Sequence, residues 1–410
     1  MAHRIAVVGG GFAGLWGAAS AARARARFAV PEAELEIVLV SPGPFHVIRV
    51  RCYEADLEPV RVPLDDVLSP IGVRRVQARV TGIDATARSL TLEGGAGAIT
   101  GLEYDRLLLA SGSELVRPAI PMGQQTFDVD SYEGARRLAG HLAALAEKPR
   151  NEAACTAVVI GGGLVGIEIA CELPGRLRSA LGADAAVRVV LVDRGDIGAD
   201  MGEGRGIILD ALAALRIESR PSARVTAIDQ TGVALDSGEH IATATVVFAT
   251  GMRASPLTEG FGVTRDRLGR LPVDRFLMVE GVESVYAAGD CAQVQTDDLG
   301  HVSVMSCQHA RPMGRLAGHN MVCDLTGRLA ERVPFTAPDY VTVLDLGPYG
   351  ALYTSGWERG TVVAKGAEAK ATKQTINGMR IYPPRPATRG AIFAAAAPVI
   401  QSRPSVKTSG

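Results

Sequence analysis

The sequence predicts an α/β fold in which one doubly wound βαβ unit is written twice and followed by a smaller C-terminal α+β region. Two observations predict it. A short apolar strand runs into a glycine-rich turn and an Ala-rich segment at IAVVGGGFAGLWGA, with Gly9, Gly11 and Gly14. The same pattern returns at AVVIGGGLVGIEIA, with Gly161, Gly163 and Gly166. The elements that follow each turn also recur in one order, and such internal repetition says more than any single motif.

A second strand follows each turn. LEIVLVSPG ends near Ser41, 27 residues after Gly14, and VRVVLVDRG ends near Asp193, 27 residues after Gly166. ARVTGIDATARSLTL from Ala78 is mirrored by ARVTAIDQTGVAL from Ala223, each reading as alternating strand and turn. LLLASGS, containing Gly112, is mirrored by VVFATGM, containing Gly251. Between the copies, Asp130-x-x-Glu133 has the spacing of a capping box, and Ala135, Leu138, Leu142 and Leu145 mark one apolar helix face. Beyond residue 330, YVTVLDLGPYGALYTSGWERG reads as strand, Gly-Pro turn and strand, and the tail after Pro404 as loose chain.

Bulk properties narrow the function classes. The chain has 410 residues, enough for two or three domains, with 47% hydrophobic residues and a formal net charge of −1. There is no basic excess of the kind that binds a phosphate backbone, so no nucleic-acid partner is expected. The apolar run Ala391 to Ile400 is short and broken by Pro398, so it does not span a bilayer. The N-terminal apolar stretch belongs to the first strand and is not read as a cleaved signal, which predicts a cytoplasmic protein. The six cysteines, Cys52, Cys155, Cys171, Cys291, Cys307 and Cys323, lie far apart and show no metal-site spacing.

The repeated glycines have a physical task. The first permits a tight turn, the second lets a diphosphate approach the backbone, and the third lets helix and strand pack closely, as in a Rossmann dinucleotide site. Free amides at the helix N-terminus then receive the diphosphate. Each copy is therefore expected to bind a dinucleotide.

A third segment makes the pattern specific. VESVYAAGDCAQV runs an apolar strand into Gly289-Asp290, with a helix expected directly after it. Following two Rossmann units, it resembles the second flavin motif of the FAD-dependent pyridine nucleotide oxidoreductases, which have a glutathione reductase-like fold. The resemblance implies that residues 1–125 and 258–328 form a discontinuous FAD domain, that residues 126–257 form an inserted NAD(P)H domain, and that residues 329–410 form an interface domain and tail. It places FAD on Gly9, Gly11, Gly14, Ser41, Val80, Gly112, Gly289 and Asp290, and NADH on Gly161, Gly163, Gly166, Asp193 and Gly251. Asp193 favours NADH, because a 2′-phosphate about 4 Å away would meet about 4 kcal/mol of repulsion at an effective dielectric near 20. Arg194 softens that effect, so NADPH is disfavoured and not excluded. Ser41 stands where the pattern has an acid.

Within that superfamily a redox cysteine pair is the mark of the disulfide reductases. Here SPGPFHVIRVRCYEAD carries only Cys52, read as a buried structural thiol unless it meets Cys307 in space. The chain looks more like the type II NADH dehydrogenases, which pass electrons from NADH through FAD to a quinone. Three features carry that resemblance: Tyr53-Glu54 near the flavin, Glu168 near the nicotinamide, and Gln308-His309 at the start of a helix beside the acceptor. The resemblance makes Glu168, Gln308 and His309 the candidate catalytic residues. The plainer alternatives stay open: Glu168 as an exposed first-turn acid, and His309 as either a proton source titrating near neutrality or a side chain satisfied by backbone. The expected partner is a small electron acceptor, first a quinone, with at most peripheral contact to the inner face of a membrane and with a homodimer left open. The rivals are a ferredoxin or other carrier reductase, a sulfide:quinone-type enzyme, and a non-catalytic nucleotide sensor.

Overall fold

The computed structural model of the chain describes residues 3–123, 125–400 and 402–406. Two five-stranded parallel sheets organise it. In the first, the spatial order is Val285–Ala287, Arg106–Leu109, His3–Val8, Leu35–Ser41 and Arg74–Gln77. In the second it is Thr126–Asp128, Thr245–Phe248, Thr156–Ile160, Arg188–Val192 and Ile217–Arg220. Strands such as IAVV and AVVI are apolar at successive positions because both faces of a parallel sheet are covered, and Ile5 to Val8 and Ala157 to Ile160 are all buried.

The two sheets are the same unit with one difference of connection. The outer strand of the second sheet precedes its glycine turn, whereas that of the first sheet comes from residues 285–287, after the second sheet is complete. Val285 to Ala287 pair in parallel with Leu107 to Leu109, so the chain re-enters the first sheet there. The two passages between the sheets touch one another, Ser113–Leu115 lying antiparallel to Met252–Ala254. Each copy also carries a three-stranded antiparallel sheet, at residues 79–103 and 225–242, as the mirrored segments led one to expect.

The first turn helix, Phe12–Arg27, packs closely on the helix Cys307–Leu325. Glycine makes that approach feasible: a Cβ on Gly314 would lie 2.2 Å from the Ala13 carbonyl oxygen, and one on Gly318 would lie 2.1 Å from that of Gly17. After the second passage, Val341–Asp345, Ala351–Ser355 and Thr361–Lys365 form an antiparallel sheet, against which the helix Gly366–Thr375 packs.

Three local expectations are corrected. The helix Tyr132–Leu145 buries Ala135, Leu138, Leu142 and Leu145, but its N-cap is Ser131, whose Oγ accepts from the Gly134 amide at 3.0 Å, and not Asp130. Gly289-Asp290 begins only a single 3₁₀ turn, Gly289–Cys291, and the helix expected there starts sixteen residues later at Cys307, capped by Ser306. Pro404 is held by the Tyr353 hydroxyl at 2.9 Å and Val406 packs on the C-terminal sheet, while residues 407–410 of the expected loose tail lie outside the described residues. No described helix is long and apolar enough to cross a membrane.

Candidate functional site

The two glycine turns match each other atom for atom. Gly9 has φ +111° and Gly161 φ +113°, a backbone region open to glycine. A Cβ on either would lie within 2.3 Å of a carbonyl oxygen on the neighbouring strand's exit, at Ala110 and Ala249 respectively. A Cβ on Gly14 would lie 1.8 Å from the Gly9 oxygen, and one on Gly166 1.7 Å from that of Gly161. Gly11 and Gly163 differ from these: each is the N-cap of its helix with no side-chain cap, and nothing lies within 4 Å of the Cβ position. Uncapped helix amides opening onto space that only hydrogen fills on the protein side are the features a dinucleotide diphosphate needs.

The residues ending the second strands face the same turns. Asp193 accepts from the Gly162 amide at 2.6 Å and the Gly195 amide at 2.7 Å, which fixes its carboxylate beside the second turn. Ser41 is buried, with its Oγ against Gly10 in the equivalent place. Gly112 and Gly251 lie where the fourth strands leave the sheets, each offering its carbonyl to the other passage, to Ser255 and Val116 respectively. Val80 is buried in the first core, so any contact it makes with a nucleotide is through its backbone.

Asp290 is half-buried and accepts from the Ser113 hydroxyl at 2.6 Å. Arg49 lies 3.8 Å from it, donates to Ser113 at 3.1 Å, and forms an ion pair with Asp130. It also donates to the Met252 sulfur at 3.3 Å, so one arginine ties the Gly-Asp turn to both passages between the sheets. Nothing in the sequence pattern distinguishes Arg49 from the other arginines, and it was missed.

Glu168 is not an exposed acid. It is buried beneath the C-terminal sheet and helix, where Lys373 donates to its Oε1 at 2.7 Å and the Asp345 amide at 3.1 Å. Burial pushes its carboxyl above the usual range, against the pull of Lys373. Lys373 also donates to the Val343 carbonyl at 2.8 Å. Asp345 receives Lys370 at 2.5 Å and the Tyr53 hydroxyl at 3.2 Å. A cavity of about 330 Å³ opens beside this network, lined in part by Arg51, Glu54, Glu172, Asp345, Lys370 and Lys373. Lys373 pulls the Cys307 thiol down electrostatically, against the stronger effect of burial.

Gln308 is half-buried there and donates to the Asp339 carbonyl at 3.2 Å. His309, the next residue, turns away into a cage of Phe335, Tyr340 and Trp357. Its Nδ1 accepts from the Val304 amide at 2.9 Å, and burial lowers its pKa to about 4. Of the two readings left open for His309, the side chain bonded to backbone fits this environment better than a group titrating near neutrality, because burial disfavours its charged form.

A family profile decides between a generic nucleotide fold and a specific one: that of the pyridine nucleotide-disulphide oxidoreductases matches residues 3–314. The chain belongs to the pyridine nucleotide-disulphide oxidoreductase family. Within it the chain is NADH dehydrogenase-like. An NADH dehydrogenase-like protein of Mycobacterium tuberculosis is 53% identical over 408 residues, covering 98% of this chain and 100% of the relative. A type II NADH:quinone oxidoreductase of Staphylococcus aureus is 26% identical over 405 residues, covering 92% and 95%. The solved structure of NDH2 from Plasmodium falciparum in complex with NADH superimposes with a TM-score of 0.80 at 13% identity, covering 97% of this chain and 98% of that one, a likeness of fold.

Membership implies a flavin and a pyridine nucleotide, and the two glycine turns fit both by the open Cβ positions at Gly11 and Gly163. All six cysteines are free, and burial pushes the Cys52 thiol up to about 12, so Cys52 is a packed, protonated side chain of the second core. Cys307 is likewise raised by burial. Lys373, Lys370 and Asp345 were missed by sequence reasoning, because they sit in a short helix and a strand end with no motif around them.

Proposed function

We propose that the protein oxidises NADH through FAD bound at the first glycine turn and delivers the electrons to a quinone. The observation that supports this best is the pair of open glycine turns, one in each parallel sheet, together with a buried Glu168–Lys373 pair on the helix of the second turn. FAD, when bound, accepts hydride from the reduced nicotinamide and releases electrons to the acceptor.

The chain supplies position and protons. Gly161, Gly163 and Gly166 hold the NADH diphosphate and Asp193 its adenosine ribose, which selects NADH over NADPH. Gly9, Gly11, Gly14, Ser41, Gly112, Gly289 and Asp290 do the same for FAD, with the Val80 backbone beside them and Arg49 fixing Asp290 in place. Gly251 shapes the exit of the second turn. Gln308 borders the acceptor. The hydride from NADH carries one of the two hydrogens a reduced quinone gains, so one further proton must come from the protein or solvent; Lys373 holds one at Nζ, 2.7 Å from Glu168, and lines the cavity with Asp345 and Lys370. The protein's part in the reaction is thus orientation, exclusion of water and proton delivery. The quinone is further supported by the name of the Staphylococcus relative.

The test is steady-state NADH oxidation by the holoenzyme against a short-chain menaquinone analogue, a ubiquinone analogue, ferredoxin, cytochrome c and a sulfide-linked assay. Quinones are expected to turn over fastest. Turnover with the protein carriers alone removes the quinone.

A further inference from the structure

The first turn helix and the helix Cys307–Leu325 share a face that the redox chemistry does not use. Trp16, Ser20 and Arg23 fall on one side of the former, and Arg311 and Arg315 stand one turn apart on the latter. The Arg311 guanidinium carbon is 4.3 Å from the centre of the Trp16 ring and that of Arg315 is 4.9 Å from it. Trp16 is 0% exposed, Arg315 4% and Arg311 7%.

Two guanidinium groups are therefore packed on one indole, and among the described residues no carboxylate pairs with either. Among the described residues their one hydrogen bond runs from Arg311 Nη1 to the Arg380 carbonyl. Trp16 Nε1, Arg311 Nε and Arg315 Nε are buried donors without an acceptor, as are Ser20 Oγ and Arg23 Nη1 beside them. An arginine over an indole gains up to about 2 kcal/mol, while taking an ion out of water costs several kcal/mol. The indole alone does not offset two such ions. Burial accordingly lowers Arg315 to about 10, and burial followed by the neighbouring Arg315 lowers Arg311 to about 9.

We propose that this face binds a phosphate-class oxyanion between Arg311 and Arg315, either free phosphate or the phosphate of an anionic lipid headgroup. Guanidinium and indole donors with no acceptor suit an anion and reject a cation. The planar fork of each arginine matches two oxygens of a tetrahedral anion. Trp16 lies five residues past Gly11, about 7.5 Å further along the helix axis than the first glycine turn, and the experiment uses the FAD holoenzyme so that the cofactor's own phosphates are in place. The proposal does not depend on which acceptor the enzyme uses.

The experiment follows melting of the FAD holoenzyme, with NAD⁺ present to fill the second glycine turn, in sodium phosphate against sodium chloride at equal ionic strength. Calorimetric titration with phosphate runs alongside, as does sedimentation with phosphatidylglycerol or phosphatidylcholine vesicles. Wild type is expected to melt higher in phosphate. Arg315→Met should lose that response, bind phosphate about tenfold more weakly or worse, and melt no lower than wild type in chloride, since it removes an unpaired buried charge. Arg315→Lys, which keeps the charge and loses the fork, should also weaken binding. Response to phosphatidylglycerol vesicles without response to phosphate assigns the anion to lipid. A wild type that responds to neither, or variants that respond as wild type does, overturns the proposal.

Discussion

Replacing Lys373 with methionine would leave the Glu168 carboxylate in the interior with only the Asp345 amide to hold it. In the native chain the two charged atoms are 2.7 Å apart, on side chains 11% and 8% exposed. Unit charges about 4 Å apart interact by about 4 kcal/mol at an effective dielectric near 20. Deleting one partner of a buried pair costs about 3–5 kcal/mol. Lys373→Met is therefore expected to lose about 4 kcal/mol at neutral pH, and the double variant E168Q/K373M to regain more than half of it. The loss also carries a pH signature. Burial already raises the Glu168 carboxyl above its ordinary 4.5, and removing Lys373 raises it further. A carboxyl raised on folding keeps its stabilising contribution below the unfolded value and loses it as pH rises through the folded one. The gap between Lys373→Met and wild type should thus open from about pH 4.5 toward neutrality. Urea unfolding of wild type, both single variants and the double variant across that range measures it. A single variant within about 1 kcal/mol of wild type at neutral pH, or a gap that is flat with pH, refutes the buried pair.

Other consequences are as direct. Asp193→Ala should raise KM for NADH about tenfold or more while leaving flavin reduction at saturating NADH nearly unchanged; equal losses in both would show that Asp193 does not position the nucleotide. His309→Phe should leave the shape of the pH profile of acceptor reduction between about pH 6 and 8 unaltered, since the imidazole is already neutral there; loss of an apparent pKa near 6.5 would restore it as a proton donor. Gly11→Ala should fold, because its Cβ meets no protein atom, yet retain less FAD after gel filtration, whereas Gly14→Ala should fail to fold; full flavin content in Gly11→Ala would contradict the diphosphate cradle.

Periodicity and repetition made the two sheets legible before any coordinates, because parallel strands and glycine turns leave marks within a few residues of sequence. The mirrored antiparallel sheets, and the strand, turn and strand of the C-terminal region, were legible for the same reason. What failed depended on three-dimensional neighbours. For Glu168 the sequence leaves a role near the nicotinamide and an exposed first-turn acid both open, and only the helix Gly366–Thr375, some two hundred residues on, removes the second by covering it with Lys373. His309 reads equally as a titrating group or as one satisfied by backbone, and only the neighbours Phe335, Tyr340 and Trp357 favour the second. Asp130 has the spacing of a cap, but Arg49 draws its carboxylate away and Ser131 takes the role. Arg49 and Lys373 stand in no motif, and only packing shows what each one holds.

Anaerobic titration of the purified holoenzyme with NADH, followed by visible absorbance, tests whether a pyridine nucleotide in the second turn reduces a flavin held by the first. One equivalent of NADH per flavin should bleach the yellow band, and Asp193→Ala should need more NADH to reach the same end point. Protein that binds FAD but stays yellow under excess NADH and NADPH would contradict the account.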